Sequence, residues 1–244
     1  GVVPPPLTPP AIDIPHPWTR SVNGICFLAT PPALRAQGQT RLFCPLEGHL
    51  VGCEYDTRRL IRMTLDAVGD TFQGAAYPLS IPPKDVNAGL LGPIVCAVSP
   101  SGMLYVGEIR DSGWGAGNNI GQITQVRFDP AALPCGIAQV RATPTGFELE
   151  FFQPVDEQRA SDPASYRIES YRRESTPAYG GPDLDRRQET ISAIDVARDA
   201  RHVRLALPHL RENYVYEFKL RNLSRDGKVF HPDEAHYTLR FVPR

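Results

Sequence analysis

The stretch Gly92–Phe128, GPIVCAVSPSGMLYVGEIRDSGWGAGNNIGQITQVRF, most constrains what this chain can fold into. An apolar strand over Ile94–Val98 meets a tight turn at Ser99–Gly102, and a second strand follows over Leu104–Ile109. A long Gly/Asn-rich loop then leads to a third strand over Gln122–Phe128. An upstream segment, GHLVGCEYDTRRLIRMTL, repeats the pattern: a Gly-led strand ends in Glu plus one residue, a charged loop follows, and a strand returns. Meanders that recur along a chain read as blades of a β-propeller, and a blade needs neighbours to cover both of its faces. The chain has room for about two such blades.

The first blade is read over about Val22–Pro78, with strands at Ile25–Ala29, His49–Tyr55, Leu60–Leu65 and Thr71–Tyr77. Before it, residues 1–20 hold PPPLTPP and IPHPW, which read as an extended, polyproline-like lead-in. The 25 prolines of the whole chain fit many short strands joined by turns. Its 244 residues allow one large domain or two ordinary ones. A net charge of −1 offers nothing to nucleic acid or to an anionic membrane surface, and no apolar run is long enough to span a bilayer. The chain starts at Gly1 with no Met and no signal-peptide pattern, so an incomplete propeller is expected to be a fragment of a longer protein.

Five cysteines, Cys26, Cys44, Cys53, Cys96 and Cys135, leave at least one thiol unpaired within the chain. No CxxC occurs, which removes the zinc-knuckle and c-type haem patterns. Cys26, Cys53 and Cys96 lie in apolar strand patterns and read as buried thiols, with a Cys26–Cys53 bridge across neighbouring strands as the alternative.

Around Asp129–Cys135 the character changes to clean period-two alternation. Phe147, Leu149 and Phe151 alternate with Glu148 and Glu150, and Tyr214, Tyr216, Phe218 and Leu220 alternate with Val215, Glu217 and Lys219. One polar face per strand means half-buried antiparallel strands. Seven runs, at about 137–143, 146–153, 165–172, 190–197, 201–207, 214–222 and 235–242, suggest an Ig- or fibronectin-like sandwich with no regular helix. The expected organisation is therefore all-β: a lead-in over 1–20, closing propeller blades over 21–135 and a sandwich over 136–244. The connection Glu174–Glu189 is too long for a hairpin turn and is expected to be ordered, packing on the propeller segment through Tyr179.

FCPLEGHLVGCEYDTRRLIRMTL and LYVGEIRDSGWG resemble the closing blades of glucose/sorbosone dehydrogenase-like β-propellers. The nearer likeness is to large exported propeller proteins of planctomycete-type bacteria, which carry membrane-bound dehydrogenase or haem-binding-domain names. YRRESTPAYGGPDLDRR and GKVFHPDEAHYTL resemble the sandwich that follows their propeller. The resemblance implies an exported, periplasmic protein with pyrroloquinoline quinone (PQQ) and calcium over the propeller axis. It also implies that the catalytic histidine and most quinone ligands come from earlier blades. No position here matches them, so no catalytic residue, metal ligand or cofactor is carried over to this chain. The implied partners are the remaining blades or a c-type cytochrome domain.

The best candidate for ligand contact is the loop Arg110–Asn119. Arg110 and Asp111 bring charge, Trp114 a stacking surface, and Asn118 and Asn119 amide donors and acceptors. Such a set suits a carbohydrate or a flat cofactor. The same residues also serve for loop hydrogen bonding and packing on the next blade. Glu54, Asp56, Arg58 and Arg59 form a second cluster, in which Glu54 and Glu108 occupy equivalent repeat positions and suit blade architecture. His16, Trp18, Arg20 and Asn23 form a third group, with Trp18 read as a packing residue. FHPDEAHY sets His231 and His236 beside Asp233 and Glu234, which reads as a turn leading into a strand rather than a metal site. RRLIR places three arginines at a strand edge, too few for a nucleic-acid patch.

Two functions follow. One is the C-terminal part of a propeller oxidoreductase acting on sugars or alcohols, inactive as this segment alone. The other is a non-catalytic module binding carbohydrate or protein.

Overall fold

The computed structural model describes residues 8–79, 89–111, 113, 119–174 and 180–244. They form fifteen strands: β1 (Val22–Phe27), β2 (Leu50–Glu54), β3 (Arg59–Val68), β4 (Thr71–Pro78), β5 (Pro93–Val98), β6 (Leu104–Arg110), β7 (Ile120–Val126), β8 (Ile137–Thr143), β9 (Gly146–Phe151), β10 (Tyr166–Arg172), β11 (Leu184–Gln188), β12 (Ala193–Val196), β13 (His202–Ala206), β14 (Tyr214–Leu220) and β15 (Glu234–Leu239). Two single-turn helices, α1 (Pro32–Ala36) and α2 (Glu157–Ala160), sit in connections. The fold is all-β, with three antiparallel sheets, none of them closed. The large sheet has the order β1-β2-β3-β4-β15-β14-β10-β11; the smaller ones are β5-β6-β7 and β12-β13-β9-β8.

Period-two alternation gives the large sheet two apolar faces. On one face, Val51, Cys53 and Leu60 meet Cys96, Leu104 and Val106 of the three-stranded sheet. Farther along the same face, Tyr77, Tyr216, Phe218 and Tyr237 meet Val140, Phe147, Leu149 and Val203 of the four-stranded sheet. The two small sheets thus lie side by side on the large one. The opposite face carries Ile61, Met63 and Ala76, and the lead-in covers them with Ile12, Ile14 and Trp18. Asp13 and Arg240 fasten that lead-in, Asp13 N–H donating to Thr238 Oγ1 at 2.8 Å and Arg240 pairing with the Asp13 carboxylate at 2.8 Å.

The large sheet crosses the boundary expected near residue 136, because β4 pairs with β15 through Ala75↔Tyr237 and its neighbours. Arg62 stands where the two small sheets meet. Its guanidinium donates to Ala138 O at 2.5 Å and Ile137 O at 2.8 Å, and lies 3.9 Å from the Tyr77 ring centroid. RRLIR is thus not at a sheet edge: β3 lies between β2 and β4, and Arg62 is 1% exposed. The expected long connection is also shorter than read, since Leu184–Gln188 pairs with β10 as the outermost strand of the large sheet. Its alternation was masked by charge, because an edge strand exposes side chains on both faces. Tyr179 lies outside the described residues.

Strands β1–β2 of the large sheet and β5–β6 of the three-stranded sheet share corresponding backbone bonds. Tyr55 N–H donates to Ser21 O at 3.2 Å, and Ile109 N–H to Gly92 O at 2.9 Å. Gly48 N–H donates to Leu28 O at 2.7 Å, and Gly102 N–H to Ser99 O at 2.9 Å. Gly48 and Gly102 both adopt left-handed backbone, φ 87° and 80°, which explains why each strand begins after glycine. Both β1–β2 and β5–β6 also slip register at the same end, between Val22 and Ile25 and between Pro93 and Val95.

Candidate functional site

Glu54 and Glu108 close the two repeats at the same place. Glu54 is fully buried and accepts from the backbone N–H of Arg20 and Ser21, both at 2.9 Å, and from Thr57 N–H and its hydroxyl. Glu108, 2% exposed, accepts from Leu91 N–H, the counterpart of Arg20 N–H. Each carboxylate therefore ties the segment leading into one strand to the end of the next. Their burial and bonding make them architectural.

Tyr55, one residue after Glu54, links the two repeats. Its hydroxyl accepts from Asp111 N–H at 3.2 Å, and its ring lies 5.9 Å from the Arg110 guanidinium. Gly92 permits this contact, because a Cβ there would come within 2.3 Å of Ile109 O and 3.0 Å of the Tyr55 ring. Nothing in the sequence pattern singled out Tyr55; the signal was only its place immediately after a repeat-ending Glu.

Beside Tyr55, Arg110, Asp111 and Asn119 line one open pocket of about 240 Å³ together with Ile109, Ile120 and Gly121. Asp111 Oδ1 accepts from Gly113 N–H at 2.6 Å. Asn119 has φ 51°, a left-handed conformation that Asn adopts more readily than most residues. Three of the five expected contact residues thus converge; Trp114 and Asn118 lie outside the described residues. The pocket offers one cation, one carboxylate and one amide, a set able to orient a polar ligand.

The second cluster is spent on structure. Asp56 pairs with Arg20 at 3.4 Å on the surface, and Arg58 Nε donates to Leu90 O at 2.6 Å. In the third group, Trp18 is 6% exposed and packs edge-on to His236 with ring centroids 4.7 Å apart. His16 lies against Gly180, where a Cβ would approach its Nε2 to 2.4 Å.

FHPDEAHY divides in two. His231 N–H donates to Cys135 O at 2.8 Å, and burial pushes its imidazole pKa down. His236 is 2% exposed, with Nδ1 3.0 Å from the Tyr171 hydroxyl and Nε2 3.0 Å from Glu234 Oε1. With Glu217 it forms a group whose ligand atoms lie within 4.8 Å of one another. Burial opposes the charge on Glu217, yet the bonds from Lys219 and Arg186, with His236 nearby, hold its carboxyl down to about 2. Those cations already pair with the Glu217 carboxylate.

No protein-family model, no curated protein and no solved structure matches the chain. What the fold and site define is an all-β protein with an internal structural repeat and a small polar pocket at one end of that repeat.

Proposed function

We propose that this chain is the closing part of a β-propeller joined to an Ig-like sandwich. In this reading it serves an exported oxidoreductase of the quinone-dependent sugar or alcohol class as a supporting, non-catalytic segment. The observation that carries it is the set of corresponding backbone bonds in the two repeats, each ended by a buried glutamate, Glu54 and Glu108. The outer face of the three-stranded sheet supports it too. Val95, Tyr105 and Ile123 are 51%, 37% and 77% exposed there, so an apolar face of this sheet stands uncovered. Remaining blades of the same design are the partners that suit that face.

The described residues do not fit calcium. The ion takes six to eight oxygen ligands, whereas the carboxylates of the Glu217–Glu234–His236 group are engaged by Arg186, Lys219 and His236. Neither calcium nor PQQ is therefore assigned to residues of this chain.

The Arg110–Asp111–Asn119 pocket favours a second reading, a carbohydrate-binding module without redox chemistry. Two measurements separate the readings. Dye reduction by the isolated chain, with quinone, calcium and sugar added, should be nil; measurable turnover overturns the non-catalytic assignment. Titration with a panel of monosaccharides, followed by NMR, should shift the Tyr55 and Asn119 signals in wild type and not in Arg110→Ala if this end holds sugar unaided. No shift with any sugar removes the second reading.

A further inference from the structure

We propose that Cys26 and Cys96 form an oxidisable pair that bonds the eight-stranded sheet to the three-stranded one. Three of the five cysteines reach one place from three strands, Cys26 on β1, Cys53 on β2 and Cys96 on β5, all in the core between these sheets. Cys96 is central: its thiol faces Val51 O at 3.5 Å, and Val51 stands opposite Cys26 on β1 and two residues before Cys53 on β2. The backbone explains the approach. A Cβ at Gly24 would sit 2.6 Å from Val95 Cα and 3.2 Å from Cys96 N, so β1 and β5 cross with no side chain between them. Cys26 lies two residues farther along β1 and turns to the same core.

The register disfavours the Cys26–Cys53 bridge considered from sequence, since Cys26 stands opposite Val51 and Cys53 opposite Leu60. All five cysteines are free thiols here. Between the two possible partners of Cys96, access selects Cys26. Cys26 is half-buried, whereas Cys53 is fully buried, so a reagent arriving from solvent meets Cys26 first.

The oxidant is a low-molecular-weight disulfide such as oxidised glutathione. Cys26 loses its proton and attacks one glutathione sulfur, releasing the first glutathione thiolate and leaving a mixed disulfide. Cys96 then loses its proton and attacks the Cys26 sulfur; the new S–S bond forms and the second glutathione leaves. The two cysteines give up two electrons, and the glutathione disulfide becomes two thiols, which take the two protons. Contact with Cys96 and burial raise the Cys26 thiol; at Cys96 the contact with Cys26 acts downward, but Cys53 and burial outweigh it and raise that thiol too. The exchange is therefore slow once the sheets are closed and fastest while they are closing.

The test refolds the full 244-residue chain with oxidised glutathione at mildly alkaline pH, then maps disulfides by non-reducing digestion and mass spectrometry. The expected product links the Cys26 and Cys96 peptides, and raises the thermal midpoint by roughly 8 °C over the reduced chain. Cys44→Ser keeps the link; Cys26→Ala loses both the link and the added stability. A Cys53–Cys96 or Cys26–Cys53 link, or three unlinked core thiols in wild type, overturns the proposal. The wild-type map stands whether or not the variant folds.

Discussion

The guanidinium of Arg62 lies 3.9 Å from the ring centroid of Tyr77, and both side chains are fully buried. Around them the large sheet meets the four-stranded one. The Tyr77 hydroxyl accepts from Val140 N–H at 2.7 Å, so both members of the pair tie β3 and β4 to β8. Among the described residues no carboxylate pairs with Arg62; backbone carbonyls and aromatic faces replace it, and burial lowers its pKa to about 10.

Arg62→Ala should therefore destabilise the fold by roughly 3 kcal/mol, because it orphans the Ile137 and Ala138 carbonyls and leaves a cavity. Arg62→Met leaves the same two carbonyls unpaired but keeps most of the volume and removes a buried charge, so it should cost less, about 1–2 kcal/mol. Urea unfolding of both variants checks the ordering; equal losses would show that the charge itself is needed.

His49 adds a pH dependence. Its Nδ1 faces the Arg62 guanidinium at 3.1 Å and accepts from it, and burial first, then Arg62, push its pKa down to about 3. An unfolded chain titrates its histidines near about 6.5. The unfolded state thus takes a proton that the folded state refuses. The contribution is complete above pH 6.5 and is lost progressively as pH falls toward 3. His231, also depressed by burial, acts with the same sign. Asp13 and Asp66, raised by burial, act with the opposite sign at lower pH. Urea midpoints between about pH 7.5 and pH 5.5 should fall in wild type and fall less in His49→Asn. Parallel profiles would assign the loss to other groups.

The two repeat-ending glutamates should differ in cost. Glu54 holds four donors, so Glu54→Gln sets an amide NH2 against an N–H or a hydroxyl and should lose roughly 2 kcal/mol. Glu108 holds Leu91 N–H on one oxygen, while its Oε1 has no partner among the described residues. The amide NH2 can turn to that side, and Glu108→Gln should lose under about 1 kcal/mol. Thermal unfolding of the two variants compares them directly, and a larger loss at Glu108 would refute the assignment.

The uncovered sheet face should make the isolated chain self-associate. Ile123 is its most exposed large apolar residue, at 77%. Ile123→Lys should shift sedimentation toward monomer without lowering the unfolding midpoint, because its side chain touches solvent rather than core. An unchanged sedimentation profile for the variant, or a monodisperse wild-type monomer at high concentration, would count against the face as an interface.

Periodicity and turn chemistry are local, and they were enough to place β1–β10 and β12–β15 to within a few residues. Gly48 and Gly102 marked the repeat because only glycine takes their backbone conformation readily, and Glu54 and Glu108 were legible as its matched ends. Arg110, Asp111 and Asn119 were legible as one loop, and the hairpin register Arg110↔Ile120 brings its two ends together. β11 was not legible, because its charged, outward-facing residues lack an apolar period. Nor was the pairing of β4 with β15, the role of Tyr55, or the burial of Arg62. Each depends on a partner far away in sequence, and alternation says that a face is buried without saying against what. Arg62 did leave a local trace, a cation at a core-facing position between Leu60 and Thr64. Only the tertiary structure supplied the carbonyls and rings that allow a charge to remain there.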